Sequence, residues 1–168
     1  MRSLSLSHVS PQGSLLLRIP SNRVTSMEAP NPIEFTNISH SVTGVAIATG
    51  TFYEPRFSWQ LTGALTEEEF KVLQGLWYRS ELQRRTFQAD PGIVLVDTMN
   101  PYVENNPPTR AIAPGTTANS RSDGLVDYFA VWKVWISSFK ASPEGRFHST
   151  AISMIEVARV TEYHLINV

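Results

Sequence analysis

The feature that most constrains the fold is residues 127–160, where two long runs of strand-forming residues flank a turn signal. Ser142-Pro143-Glu144-Gly145 has proline at the second position and glycine at the fourth, a composition typical of a tight turn. In the run before the turn, every second residue is apolar. This first face consists of Tyr128, Ala130, Trp132, Val134 and Ile136. The pattern predicts a long β-hairpin with one face on a core.

The opposite face of the same run is also largely apolar. It consists of Phe129, Val131, Trp135 and Phe139, interrupted by Lys133 and Ser137. One apolar face is enough to pack a sheet on a core, whereas two require a second cover, from another layer of the chain or from another subunit. We therefore expect Trp135 and Phe139 at or beyond the edge of the core, fully buried in an assembly.

An alternating strand leads directly into the one helix that the sequence predicts. Phe57, Trp59 and Leu61 share one face of this strand, with polar residues between them. Thr66 and Glu69 then have the spacing of a capping box. Apolar residues follow at three- and four-residue spacing. They are Phe70, Leu73, Leu76 and Trp77. The helix is predicted over 66–83.

Residues 97–124 form a long segment that is rich in proline and glycine and has almost no periodicity. Loops longer than about 12–15 residues are uncommon in compact domains and are usually functional or disordered. We expect an arm that orders against a neighbouring subunit, in preference to a flexible loop. Two residues of this arm and three of the hairpin are predicted to contact another subunit. They are Tyr102, Arg110, Lys133, Trp135 and Phe139.

Two further segments have strand character. Residues 3–7 and 14–19 predict two short strands or an edge hairpin near the N-terminus, and residues 161–168 are apolar enough to dock on other structure. Together the elements predict a single domain, 1–168, that is mainly β (α+β). Its expected architecture is an antiparallel β-sandwich or barrel flanked by one α-helix (66–83), with the long hairpin (127–160).

Composition and charge narrow the functional classes. The formal net charge is −1, so no global basic field draws the protein to nucleic acid or to anionic membranes. The chain has no cysteine, which excludes disulfides and thiolate chemistry. No apolar run has the length of a signal peptide or of a membrane span. We predict no membrane association and no sequence-specific binding of nucleic acid.

The residues that carry chemistry do not form a known catalytic pattern. The four histidines lie far apart, and the motifs of zinc proteases, serine hydrolases and nucleotide-binding loops are absent. Four aspartates could supply the carboxylate pair of a glycoside hydrolase, but all four border turns or strand ends, where Asp commonly caps backbone groups. They are Asp90, Asp97, Asp123 and Asp127. We predict a protein that is not an enzyme, without catalytic, metal-binding or cofactor-binding residues.

The order of elements carries a resemblance. A strand at residues 57–61 runs into the capped helix, a short apolar strand ends at Asp97, and the chain closes on Ile152-Ser153-Met154-Ile155-Glu156-Val157. This order resembles the small structural proteins of bacteriophage tails, such as tail-tube, tube-terminus, distal-tail and baseplate components. The resemblance covers about residues 42–160. It implies a β-sandwich or barrel whose loop and hairpin contact neighbours in a ring.

These observations lead to one functional hypothesis and two alternatives. The first is a structural component of a phage tail or baseplate, made in the host cytoplasm and located in the virion. Its partners would be copies of itself, in a six-fold or three-fold ring through whose lumen DNA could pass, and other tail proteins. The second is a β-sandwich module that binds carbohydrate or a protein partner, with Trp135 and the 97–124 segment as its site. The third is a hydrolase with a carboxylate pair.

Overall fold

The computed structural model describes residues 2–10, 13–28, 30–33, 38–40, 46–48, 56–85 and 92–162. Across these residues the protein is mainly β, with antiparallel sheets and one α-helix, which confirms the predicted fold class. The helix is α1 (Glu67–Arg85). The strands are β1 (Ser3–Ser10), β2 (Gly13–Pro20), β3 (Val24–Met27), β4 (Asn31–Ile33), β5 (Ile38–His40), β6 (Ala46–Ala48), β7 (Arg56–Thr66), β8 (Ile93–Asp97), β9 (Tyr102–Asn105), β10 (Asn119–Ser120), β11 (Leu125–Tyr128), β12 (Val131–Glu144) and β13 (Phe147–Arg159).

The largest sheet has eight strands. Seven of them follow the order β2-β1-β8-β12-β13-β7-β3, and β4 also pairs with β7. A second sheet has the order β10-β11-β9, and β5 pairs with β6. The predicted N-terminal hairpin is confirmed as β1 and β2, which pair from Ser3↔Pro20 to Ser10↔Gly13.

The core lies on one face of the large sheet. Helix α1 contacts β2 at one end of the strand order and β12, β13 and β7 further along it, so the helix lies across this face. Leu73 and Leu76 of α1 are fully buried in this core. The three-stranded sheet covers the rest of the same face, where Tyr102 packs edge-on against Trp132 at 5.1 Å between ring centroids. The helix and the small sheet thus form the second layer of a sandwich.

The capping box at the start of α1 is confirmed. The backbone N–H of Thr66 donates to Oε2 of Glu69 (2.9 Å), and the backbone N–H of Glu69 donates to Oγ1 of Thr66 (3.3 Å). These bonds satisfy two backbone donors that a helix start leaves unpaired. The strand therefore passes directly into the helix, as the sequence predicts, although α1 ends at Arg85, two residues later than expected.

The long hairpin is present, but its turn is not where the sequence places it. Glu144 pairs with Phe147, so Gly145 and Arg146 form a two-residue loop and Ser142 and Pro143 belong to β12. Gly145 has φ of +63°. A positive φ at the first central position is what the primed turns of two-residue hairpins require, which explains the shift.

The first arm of the hairpin is interrupted at its start. Leu125–Tyr128 forms β11 in the small sheet, and the chain crosses to the large sheet before Val131. The predicted strand from Asp127 onward is therefore two strands in two layers. The apolar alternation continues from the small sheet into the large sheet, because Tyr128, Ala130 and Trp132 all lie in the core.

A register shift in β12 changes the predicted face of Phe139. The pairing of β12 with β13 shifts between Ile136 and Ser138, so Ser137 is an extra residue in the ladder. Because such a bulge reverses the alternation of side chains, Phe139 falls on the core side, opposite buried Ile152. The prediction that Phe139 shares a face with Trp135 is wrong.

The segment 97–124 packs in part against its own chain. Its central part is residues 109–113, which we call the strap, and it pairs with the chain at the start of β12 through an antiparallel bridge between Ile112 and Ala130. The backbone N–H of Ala111 donates to the carbonyl of Val160 (2.8 Å), and Val131 donates to the carbonyl of Ala111 (2.9 Å). Ala111 and Ala113 cover Val131, which is completely buried. The strap therefore covers part of the second apolar face of the first arm of the hairpin.

Candidate functional site

One of the few buried charged residues of the described chain is Arg110, at the start of the strap. Its side chain lies in the core, and its guanidinium forms an ion pair with the equally buried carboxylate of Glu156, in which Nη1 contacts Oε1 and Nη2 lies 3.3 Å from Oε2. The backbone N–H of Phe57 also donates to Oε2 of Glu156 (3.2 Å). Burial raises the pKa of Glu156, while Arg110 and the Phe57 N–H oppose that rise.

Aromatic rings surround the guanidinium of Arg110. Its Cζ lies 4.3 Å from the ring centroid of Trp132, 5.4 Å from that of Phe57 and 5.6 Å from that of Tyr102. Cation–π contacts of this kind are worth more when both groups are desolvated. Arg110, predicted at a subunit interface, is thus an internal tie that joins the strap to β12 and β13.

A second polar group fixes the same end of the strap. Glu104 accepts hydrogen bonds from the backbone N–H (2.7 Å) and the hydroxyl (2.6 Å) of Thr109, and from the hydroxyl of Tyr128. Partial burial raises the pKa of Glu104, but the hydrogen bonds outweigh that effect, so the pKa is lowered. Burial and the bond to Glu104 raise the pKa of Tyr128. These groups are consistent with structural roles, because each holds the strap against the sheet.

The other residues predicted at an interface occupy different environments. Tyr102 packs against the core beside Trp132. Phe139 is half-buried beneath α1, with ring centroids 6.1 Å from Phe70 and 5.8 Å from Trp77. The structure does not bring the five predicted residues together in one surface.

Lys133 and Trp135 lie on the outer face of β12. The side chain of Lys133 covers Gly92, where an added Cβ would meet its Cγ at 2.2 Å. Trp135 is half-buried, and its Nε1 has no hydrogen-bond partner among the described residues although the atom is shielded from solvent. A buried N–H without an acceptor is unfavourable. Among the five predicted interface residues, Trp135 keeps a polar group that another molecule could satisfy.

The aspartates that could have formed a catalytic pair have structural partners. Asp97 is buried, which raises its pKa, and its Oδ1 accepts the backbone N–H groups of Met99 (2.7 Å) and Asn100 (3.1 Å). Asp123 accepts the N–H of Leu125 (3.2 Å). Asp127 accepts from the side-chain amide of Asn119 at 3.4 Å, and Asp90 lies outside the described residues.

Neither His148 nor a cluster of metal-binding side chains gives a further candidate site in the described part of the chain. His148 Nε2 lies 2.5 Å from Oε2 of Glu67, and its ring stacks on Phe70 at 4.5 Å between centroids. That environment is a satisfied surface contact between β13 and the start of α1. No group of three His, Cys, Asp or Glu residues that could hold a metal ion occurs among the residues described.

The sheet itself presents the feature most suited to binding, the outer edge of β2. The backbone N–H of Ser21 donates to the carbonyl of Arg2 (3.2 Å), so these two residues form a hydrogen-bonded pair between the two strands. The next residue, Ser3, bonds instead to Thr98, on the side of β1 that faces away from β2. These bonds fix which residues of β2 bond to β1. Because such bonding alternates along antiparallel strands, alternate residues of β2 direct N–H and C=O away from β1. These residues are Ser14, Leu16 and Arg18, all exposed.

Exposed apolar side chains border this edge. Leu16 is 50% exposed on the outer face, and Val9 lies diagonally across the β1–β2 ladder on the same face. On the inner side, Tyr78 and Leu82 of α1 are 63% and 50% exposed. The helix meets β2 close to them, because Arg79 donates to the carbonyl of Gly13 at 2.6 Å.

The outer edge of the hairpin is different, because it carries features that oppose strand pairing. Beyond Val134, no strand in the described ranges pairs with the outer edge of β12. That stretch contains the bulge at Ser137, exposed Lys140 and Pro143. Bulges, lysine and proline are the means by which edges avoid association with other strands. The β2 edge has no bulge in its ladder, and Pro20 stands at its end.

Sequence reasoning missed the ion pair and the β2 edge for different reasons. Glu156 did leave a signal, because it follows Ile152 and Met154 in the alternation of a core face, where a carboxylate needs a buried partner. Arg110, its partner, lies in a segment without periodicity. The openness of β2 depends on strand order, which the local pattern does not contain.

Comparisons with protein-family models, with curated proteins and with solved structures found no match. No helix among the described residues is long and apolar enough to cross a membrane.

Proposed function

We propose that this chain is a non-enzymatic structural component of a phage tail or baseplate that assembles with copies of itself into a ring. The observation that carries the proposal is the outer edge of β2, with which no strand of the described residues pairs, together with exposed Leu16, Tyr78 and Leu82. A regular edge with free backbone groups is a template for pairing with another chain, and natural monomers usually block such edges. The resemblance in element order supplies the phage context.

The polar groups of the interior support a structural role. Arg110 and Glu156 neutralise one another, Glu104 holds the strap, and Asp97 caps a turn. Each buried carboxylate named here accepts hydrogen bonds within the chain, which is how a scaffold satisfies buried polar atoms. An enzyme instead leaves an acid or base directed at a cleft.

The mass of the protein in solution tests the proposal. We expect light scattering or native mass spectrometry to give a multiple of the 18.8 kDa chain, and negative-stain imaging to show rings. Neighbouring genes that encode tail-tube or baseplate proteins would support the phage setting. A strict monomer that binds glycans saturably would overturn the proposal in favour of the binding module.

A further inference from the structure

We propose that the outer edge of β2 pairs with the same edge of a second copy of this chain, antiparallel, about a two-fold axis at Leu16. This inference rests on the proposed self-assembly and names the contact that produces it. No strand among the residues that the structure describes pairs with this edge. The β1–β2 ladder runs from Ser3↔Pro20 to Ser10↔Gly13 without a register shift, so the edge presents its backbone groups in a regular row.

The backbone groups of the edge are self-complementary in this arrangement. Ser14, Leu16 and Arg18 direct their N–H and C=O groups away from β1, and they are spaced evenly about Leu16. A two-fold axis at Leu16 sets Leu16 opposite Leu16, and Ser14 opposite Arg18. Each residue then exchanges two hydrogen bonds with the residue opposite, so every outward group of the row finds a partner. Peptides that add to an exposed sheet edge are recognised in this way.

Charge favours this register over its neighbours. With the axis at Leu16, the two exposed Arg18 side chains lie about 14 Å apart along the strands. That separation exceeds the screening length of about 8 Å in physiological salt. An axis at Arg18 would set the two guanidinium groups directly opposite, and an axis at Leu17 would make them diagonal neighbours about 7–8 Å apart, where like charges repel. An axis at Leu15 would leave Arg18 opposite no residue of β2, since the strand begins at Gly13.

The pairing also covers exposed apolar side chains of the outer face. Leu16 is 50% exposed and Val9 is 51% exposed in the single chain. Leu16 would pack on its own counterpart across the axis. Val9 lies opposite Ser14 in the β1–β2 ladder, so the methylene stem of the partner's Arg18 would reach across Ser14 to it. The contact therefore removes apolar surface from water in addition to forming backbone hydrogen bonds.

The two-fold axis restricts the architecture of the proposed ring. A contact between identical surfaces is complete with two chains, so by itself it ends at a dimer. The ring would consist of such dimers joined by a second contact, and it would hold an even number of chains. A ring of three dimers meets this condition, whereas a ring of three single chains does not.

The absence of cysteine from the chain permits a direct test by disulfide trapping. Leu16→Cys sets one thiol opposite its own counterpart. The Cα atoms of a hydrogen-bonded antiparallel pair lie about 5.5 Å apart, within the range that a disulfide requires. We expect oxidation of this variant alone to give a covalent dimer, of twice the 18.8 kDa mass of the chain, as the main product on a non-reducing gel.

Two positions on the same edge supply matched controls. Ser14→Cys and Arg18→Cys are exposed as well, yet each thiol would lie about 14 Å along the strands from its own counterpart. Neither variant should dimerise when oxidised alone, whereas an equal mixture of the two should give a disulfide between unlike chains. Val103→Cys, at a position 44% exposed on β9, measures chance collisions. Circular dichroism checks that each variant keeps the fold.

The outcomes separate this inference from the proposed function. Dimerisation of Ser14→Cys or Arg18→Cys alone, as readily as Leu16→Cys, would reject the register and with it the inference. Absence of the Leu16→Cys disulfide, while the wild type still assembles, would reject the β2 contact but keep self-assembly through another surface. A wild type that stays monomeric at every concentration would reject both. A Leu16→Cys disulfide with a wild-type mass that ends at two chains would support the contact and reject the ring.

Discussion

At the scale of single residues, the buried pair of Arg110 and Glu156 dominates the electrostatics of the interior. Replacing Arg110 by Met leaves the Glu156 carboxylate buried without its cation. Because an uncompensated buried charge is costly, we expect a loss of about 3–5 kcal/mol in the free energy of unfolding. Urea denaturation of the variant and the wild type measures this difference. Glu156→Gln should cost a comparable amount, since it leaves the guanidinium without its counter-charge.

The double variant is the control that separates a pair from two independent residues. Arg110→Met with Glu156→Leu removes both charges and fills the site with apolar groups. It still leaves the backbone N–H of Phe57 without its acceptor, which costs about 1–3 kcal/mol. We expect the double variant to be more stable than either single variant. A loss equal to the sum of the two single losses would contradict the coupling.

At the scale of elements, the junction between β7 and α1 depends on one carboxylate. Glu69 accepts the backbone N–H of Thr66 and both terminal nitrogens of Arg23, at 2.5 and 2.7 Å. Partial burial opposes these bonds, yet the pKa of Glu69 is lowered from 4.5. Its contribution is therefore present above the unfolded pKa and is lost as pH falls through the lower folded value.

The prediction for this junction is a difference that depends on pH. Glu69→Gln should unfold at lower urea than the wild type at pH 7, and the gap should close as the pH falls through the lowered pKa of the wild-type carboxyl. Thr66→Ala, which removes the other half of the capping box, should cost about 1 kcal/mol at pH 7. Glu68→Gln, at the exposed neighbouring position, serves as the matched control. A gap for Glu69→Gln that stays the same as the pH is lowered from 7 would refute the assignment.

Elements with a strong local signal were predicted, and those fixed by distant contacts were not. The capping box, the strand at 57–61 and the N-terminal hairpin follow from spacing that a few neighbouring residues determine. The bulge at Ser137 has no local signal, so the face of Phe139 was wrong. The strap has no local signal either, because its partners, Val131 and Val160, lie in segments that the sequence does not place beside it.

At the scale of the molecule, the question is which edge of the large sheet meets another copy. The sequence pointed to the hairpin, because both faces of its first arm are apolar. The strap covers Val131, and α1 covers Phe139, so little of the apolar surface of that arm remains exposed. Trp135 keeps a shielded N–H without a partner in the described chain. The β2 edge has instead outward backbone groups that no described strand pairs with, and exposed apolar neighbours.

Three substitutions distinguish the two edges. Leu16→Lys changes a side chain that is half exposed, so we expect a folded monomer that no longer assembles. Trp135→Ser should leave assembly intact, since the outer edge of the hairpin is blocked by its bulge, Lys140 and Pro143. Phe139→Ser should lower stability by about 2 kcal/mol, because it removes contacts beneath α1. Light scattering reports the mass and circular dichroism the fold. If Trp135→Ser gave the monomer and Leu16→Lys kept the ring, the hairpin would be the assembly edge.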